Sequence, residues 1–242
     1  MRGLRIFLII VVVLGGIFVA VDRIAVNVAE NKAADKIRSS QGLNSTPDVS
    51  IKGFPFLTQV LASKLDEVDV KLSGITATAQ GRSVQLTEVR AELKDVTINS
   101  SFSSAIAADA TGSARISYAD LTKSAPKGAT LSYAGAERAA KGQVKVTGNI
   151  ADLLAGTGAS VPESLKALPP LSTYSTVSFV GGNQVRLHAE NLPSLVESRL
   201  RKVVDYNLKI DGLPSSIKLE KTSAAEDGVE FTGTGRDVSL AG

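Results

Sequence analysis

The feature that most constrains this chain is an uninterrupted run of 16 apolar or glycine residues, Ile6 to Val21. As an α-helix the run spans about 24 Å. Leu4 and the aliphatic stem of Arg5 bring it close to the ~30 Å hydrocarbon core of a bilayer. A buried helix of a soluble protein rarely stays apolar on every face. The run therefore predicts a membrane-spanning helix.

The charges beside the run predict its orientation. Arg2, Arg5 and the amino terminus precede it. Because cationic flanks stay in the cytoplasm, the body at 24–242 is expected outside the cell membrane. The residues after Phe18 match a signal-peptidase site poorly, which favours an uncleaved signal-anchor at 1–23. A cleaved, secreted product is the alternative.

Composition excludes several kinds of chemistry. The chain has no cysteine and one histidine, His188, which lies on the polar phase of a predicted strand and is expected to face solvent. Disulfide scaffolds, thiolate zinc sites and cysteine nucleophiles are therefore excluded, and a histidine-cluster metal site lacks ligands. Beyond the anchor, basic and acidic residues nearly balance without forming a basic run, which argues against nucleic-acid binding. We expect no cofactor and no enzymatic activity.

The segment after the anchor, at 23–40, has no glycine or proline. Ile24, Val28, Ala33 or Ala34, and Ile37 recur near helical spacing, which predicts an amphipathic helix with these residues on its packed face. Its alanines suit close packing against a sheet.

The rest of the body shows the two-residue period of β-strands. The longest such stretch, 84–98, changes phase twice, as β-bulges would require to keep its apolar side on one interior. Fifteen extended residues reach roughly 50 Å, far more than an ordinary strand. Hairpins are predicted across 130–147 and 177–187, and a helix from 193 to about 204. These elements predict a single α+β domain at 24–242.

The strongest local signal is Phe54-Pro55-Phe56-Leu57, which holds two of the seven phenylalanines. Two interpretations stay open. The segment could be a core plug that seats the chain against the sheet, or it could line or gate an apolar cavity. The apolar strand positions are mostly Val, Ile, Leu and Ala, and such aliphatic walls suit acyl chains, which offer no hydrogen-bonding atoms.

These motifs together resemble a known family. The anchor, the alanine-rich helix, the segment from Pro47 through Gly53-Phe54-Pro55-Phe56-Leu57-Thr58-Gln59, and Tyr118-x-Asp120-Leu121 are similar to the actinobacterial LmeA-like phospholipid-binding family. The resemblance implies an envelope-exposed domain that binds phospholipid. It also implies a fold similar to tubular lipid-binding domains, with a long coiled antiparallel sheet wrapped on one or two helices around an apolar groove. It supplies no catalytic residues.

On this basis the expected partners are phospholipid and the membrane, and the expected role is lipid transfer or support of cell-envelope glycolipid assembly. The alternative is a non-catalytic structural or interaction module of the cell envelope, with a filled core. The side chains expected to contact lipid are apolar and come from the phenylalanine segment, the strands and the late helix: Phe54, Phe56, Leu57, Val60, Leu61, Val68, Val70, Leu86, Val89, Leu93, Val96 and Leu200.

Overall fold

The computed structural model describes residues 2–40, 42–79, 82–99, 104–155, 161–167, 169–181, 184–194, 196–209 and 216–240. The protein is α+β, as predicted. Its elements in chain order are α1 (Arg2–Ser40), β1 (Asp48–Lys52), α2 (Phe56–Leu61), β2 (Lys64–Ala79), β3 (Arg82–Ile98), β4 (Ala105–Ser117), α3 (Tyr118–Ser124), β5 (Ala129–Tyr133), α4 (Ala136–Ala139), β6 (Gln143–Gly148), α5 (Ile150–Ala155), α6 (Glu163–Lys166), β7 (Leu171–Gly181), β8 (Gln184–Ala189), α7 (Glu197–Val204), β9 (Tyr206–Lys209), β10 (Ile217–Ala224) and β11 (Gly228–Ser239).

The strands form two sheets in the part of the chain that the structure describes. The first has the order β1-β2-β3-β4-β11-β10, and the second has the order β5-β6-β7-β8-β9. The predicted long strand is present as β3, with 17 residues, beside β2 with 16. Both predicted hairpins are present as antiparallel pairs, β5 with β6 and β7 with β8. These two hairpins are neighbours in sequence and pair mainly with each other. They therefore form a second sheet in addition to the long sheet that the sequence predicted.

Helix α1 continues without a break from the apolar run to Ser40. The predicted boundary at 23 and 24 therefore lies inside one helix. Its buried stripe is Asp22, Val26 and Ala34, whereas Ile24 and Val28 are exposed. The predicted packed face was therefore wrong for these two side chains. Ile24 lies two residues, or about 200° around the helix, from Asp22, so the two cannot share a face.

The chain divides into two compact units. Unit 1 comprises Met1–Leu72, Arg90–Ala110 and Arg236–Gly242, and unit 2 comprises Ser73–Val89 and Thr111–Gly235. The long strands β2, β3, β4 and β11 contribute residues to both units.

The interior of unit 1 is built from α1, the first strands and the end of β11. Its buried apolar side chains include Val26, Val49, Leu93, Val96 and Val238. Helix α1 packs against β1 and α2. The Glu30 carboxylate fixes this packing because its Oε1 accepts a hydrogen bond from the Ile51 amide at 2.7 Å.

The interior of unit 2 is one apolar cluster formed by the second sheet, α5, α7 and parts of β4 and β11. Phe231 meets Phe179 edge-to-face with ring centroids 6.4 Å apart. Helix α7 begins at Glu197, later than the predicted start at 193, because Val196 first donates to the Pro193 carbonyl in a turn. The buried members of the cluster are Ile116, Ala125, Ala129, Leu131, Val144, Val146, Ile150, Leu153, Leu154, Leu171, Val177, Val185, Leu187, Ala189, Leu192, Val196, Leu200, Val204, Val229 and Phe231.

Candidate functional site

The phenylalanine segment of unit 1 is fixed to the end of the apolar run. Asp22, the residue after that run, is fully buried. Its Oδ1 accepts a hydrogen bond from the Leu57 amide at 2.8 Å, and its Oδ2 lies 2.6 Å from Arg23 Nη2. The Arg23 guanidinium carbon lies 5.2 Å from the centre of the Phe54 ring, within cation–π range. A charge at the end of the apolar run thus positions the start of α2.

The other end of the segment is fixed by Gln59, which is also buried. Its Nε2 donates to the Lys52 carbonyl at 3.1 Å, and its Oε1 accepts from the Asp66 amide at 2.9 Å. Gly53 has a φ of +91°, and a Cβ there would lie 2.6 Å from Gln59 Nε2 and 2.7 Å from Asp66 Oδ2. Gly53 is therefore required both for its backbone conformation and for the close approach of Gln59.

The predicted lipid-contacting residues of this segment have different environments. Phe56 is 6% exposed and packs in the interior of unit 1, as the core-plug interpretation requires. Phe54 and Leu61 are exposed, while Leu57 and Val60 are half-buried. Four predicted residues thus stay accessible beside one buried plug.

The predicted strand residues of unit 1 fall into two groups. Leu93 and Val96 of β3 are buried in its interior. Val68 and Val70 of β2 are half-buried, and so is Leu72 two residues further on. Successive side chains of a strand alternate between faces, so Val68, Val70 and Leu72 form one row, called here the aliphatic row.

The remaining predicted residues, Leu86, Val89 and Leu200, belong to unit 2. Leu200 is fully buried in the apolar cluster, Leu86 packs against that cluster, and Val89 is half-buried. The twelve predicted residues are therefore divided between the units.

Two small cavities lie among the described residues of unit 2. The larger, about 20 Å³, is lined by residues including Leu121, Leu131, Val185 and Phe231, and the smaller is about 10 Å³. Neither is lined by any of the twelve predicted residues. A space of this size holds about one water molecule, whereas a pocket for a drug-sized ligand is typically several hundred Å³.

A comparison with protein-family models matches residues 20–234 to the LmeA-like phospholipid-binding model. The chain belongs to this family. Neither the comparison with curated proteins nor that with solved structures found a match. The LmeA-like match begins at the last residues of the apolar run, so it includes Asp22, Gly53 and Gln59 together with the side chains that they position.

Helix α1 is the element of this LmeA-like chain that has the properties of a membrane span. It is long and apolar enough to cross a membrane, and its apolar window is entirely exposed. A signal sequence near an amino terminus has the same properties, so the helix is a membrane anchor or a signal sequence.

Other titratable groups of the LmeA-like chain form surface pairs. His188 is half-exposed, and its Nδ1 lies 2.8 Å from Asp205 Oδ2. Arg115 lies 3.0 Å from both Asp227 and Glu230, and these carboxylates raise its pKa. Within the described ranges, no three His, Asp or Glu side chains are grouped as a metal ion would require.

The sequence analysis did not identify Asp22, Arg23 and Gln59 as the residues that position the segment. The available signal was a single carboxylate directly after an apolar run, at a depth where a charge is costly unless it has partners. Gln59 carried no such signal because its partners are the Lys52 carbonyl and the Asp66 amide, which only the folded chain brings to it.

Proposed function

We propose that this LmeA-like protein is a membrane-anchored, extracytoplasmic phospholipid-binding protein that holds acyl chains against unit 1. Family membership across 20–234 carries the proposal. Helix α1 supports the anchor, and Arg2 and Arg5 before the apolar run support a cytoplasmic amino terminus with the body outside.

The aliphatic row is the described surface best suited to hydrocarbon. Val68, Val70 and Leu72 are half-buried, and polar Asp69 and Lys71 alternate with them. Transfer of an acyl chain from water onto such a surface contributes roughly 0.8 kcal/mol for each CH₂ that becomes buried. The two cavities described in unit 2, of about 20 and 10 Å³, are too small for an acyl chain.

Binding of this kind needs no covalent chemistry. The acyl chains contact aliphatic side chains, and the polar head group stays in water. An anchored protein of this type would serve lipid transfer or the assembly of cell-envelope glycolipids.

A second candidate function is a non-catalytic structural or interaction module of the cell envelope. The small size of the two cavities described in unit 2, about 20 and 10 Å³, favours it. The two candidates differ in whether lipid reaches the strands of unit 1.

Photolabelling separates them. The full chain is reconstituted in vesicles that contain a phosphatidylcholine with a diazirine on one acyl chain, and labelled peptides are identified by mass spectrometry. We expect adducts on α1 and also on the β2 peptide that contains Val68 and Val70. The Val68→Glu/Val70→Glu variant should lose the β2 adducts and keep those on α1, because charged side chains exclude hydrocarbon.

Val180→Glu, at an exposed valine of unit 2, is the matched control and should keep both sets of adducts. Circular dichroism establishes that each variant is folded. Adducts confined to α1 in the unsubstituted protein would contradict the proposal and favour the structural module.

A further inference from the structure

Exposed apolar side chains outside α1 are concentrated in unit 1. Among the described residues, the large ones are Phe54, Leu61, Ile106, Val180 and Leu240, and all except Val180 belong to this unit. Leu61 is 85% exposed, Phe54 57%, Ile106 47% and Leu240 40%. Single exposed apolar residues are ordinary, but a group of them in one unit indicates a contact surface.

Backbone hydrogen bonds connect the chain segments that carry Leu61, Ile106 and Leu240 to the ends of the strands. The Ser63 carbonyl, two residues after Leu61, accepts from the Ile98 amide at the end of β3, at 3.0 Å. The Ala105 carbonyl, at the start of β4, accepts from the Leu240 amide at 2.8 Å. Since β3 and β4 are neighbours in the sheet, these ends lie on one side of unit 1. The four side chains are called here the apolar end.

One member of the apolar end, Phe54, lies beside the residues of α1 that directly follow the apolar run. The Leu57 amide donates to Asp22, the residue that follows the apolar run, and the Phe54 ring lies under Arg23. Ile24 is 64% exposed, so the apolar surface of α1 continues one helical turn past the run. Phe54 is thus held beside the end of the apolar run.

The carboxyl-terminal end of α1 is polar. Lys32, Asp35 and Lys36 are exposed. Lys36 lies 14 residues beyond Asp22, about 21 Å along the helix axis. Polarity therefore increases along α1 away from the apolar end, as expected for a helix that leaves a membrane for water.

From these contacts we infer that the apolar end is a second membrane contact, in which Phe54 and Leu61 enter the interfacial region of the bilayer that α1 spans. The inference rests on the anchor in the proposed function, but it does not depend on the aliphatic row. Apolar side chains at an interface enter about 5–10 Å into the boundary between head groups and acyl chains. This contact would fix the orientation of unit 1 at the membrane, which a single helix alone leaves free to rotate.

Tryptophan fluorescence tests the inference, because the chain has no tryptophan and a single introduced one reports only its own position. Phe54→Trp and Leu61→Trp are made in the full chain, which is reconstituted in vesicles of phosphatidylcholine and phosphatidylglycerol with or without brominated acyl chains. Phe18→Trp marks the apolar run, and Ser39→Trp marks the distant end of α1.

We expect brominated lipid to quench Phe54→Trp and Leu61→Trp nearly as strongly as Phe18→Trp, with emission shifted to shorter wavelength than that of Ser39→Trp. Ser39→Trp should be quenched by acrylamide in water and not by brominated lipid. If Phe54→Trp and Leu61→Trp behave like Ser39→Trp, the inference is wrong while the anchor stands. Protection of both from acrylamide and brominated lipid would show that protein covers the apolar end, which also overturns it.

If brominated lipid does not quench Phe18→Trp, the apolar run is not in the bilayer. Both the proposed anchor and this inference would then be wrong. Lipid adducts on the β2 peptide do not depend on the apolar end. Their loss, with Phe54→Trp still quenched, would contradict the proposed acyl-chain site and leave this inference intact.

Discussion

The buried apolar side chains of unit 2 form one cluster, whereas unit 1 holds most of the large exposed apolar side chains described outside α1. The two cavities described in unit 2 are about 20 and 10 Å³. In unit 1 the aliphatic row is half-buried, and Leu61 is 85% exposed. Under the proposed function, lipid would cover the apolar side chains that unit 1 leaves accessible.

The buried polar groups differ in the same way. In unit 2, Gln143 Nε2 donates to Glu190 Oε1 at 2.6 Å, which connects the second sheet to the segment after β8. In unit 1, Asp22 and Gln59 hold the phenylalanine segment beside α1. Buried polar groups need such partners in either case. Those of unit 1 hold Phe54 and Leu61 outside the core, so they maintain an exposed surface.

Leu200→Ala should give the largest effect. Leu200 is fully buried in unit 2 but was predicted to contact lipid. Removal of its side chain should lower the free energy of unfolding by about 2–5 kcal/mol, measured by urea titration of the full chain in detergent micelles. Lipid adducts on the β2 peptide of unit 1 should be unchanged under conditions in which the variant is folded.

Leu61→Ala is the matched control in unit 1. Because Leu61 is exposed, this change should alter the free energy of unfolding by no more than about 0.5 kcal/mol. Loss of β2 adducts in folded Leu200→Ala protein would show that the interior of unit 2 takes part in lipid binding, and the contrast between the units would fail.

Gly53→Ala should give an intermediate effect. The new Cβ would meet Gln59 Nε2 at 2.6 Å with φ at +91°, so we expect a loss of about 1–3 kcal/mol in unfolding free energy. Gly42→Ala is the matched control, because Gly42 has a φ of +60° but no atom within 4 Å of the added Cβ. Urea titration should show the larger loss for Gly53→Ala. Equal losses would mean that only backbone conformation matters and that Gln59 does not require the glycine.

The periodicity of the hydrophobic residues predicted the helices and strands well, because it is a property of the local sequence. The apolar run, the long strand β3 and both hairpins were found in this way. The predicted packed face of α1 was wrong at Ile24 and Val28. Asp22 lies on the observed packed face, and a buried carboxylate does not appear in a hydrophobic pattern. The division of Phe54, Phe56 and Leu61 into exposed and buried positions also depends on tertiary contacts. A short apolar segment looks the same whether it faces a core or a membrane.

Tyr118→Phe should give the smallest effect and one that depends on pH. The Tyr118 hydroxyl in unit 2 donates to the Ala225 carbonyl at 2.8 Å. Burial, with further contributions from Tyr133 and Asp227, raises the pKa of Tyr118 to about 12. The pKa of an unfolded tyrosine is about 10, so the fold favours the neutral phenol. This stabilisation is complete below pH 10 and is lost as the pH rises towards 12.

At pH 8 the Tyr118→Phe variant should lose about 1 kcal/mol of unfolding free energy, the usual net contribution of one hydrogen bond. The difference between the two proteins should then shrink between pH 10 and 12, because phenylalanine does not titrate. Urea titrations of both proteins across this range measure it. A difference that stays constant up to pH 12 would mean that the Tyr118 hydroxyl is as well solvated in the fold as in the unfolded chain, and that unit 2 is more open at its surface than its packed interior suggests.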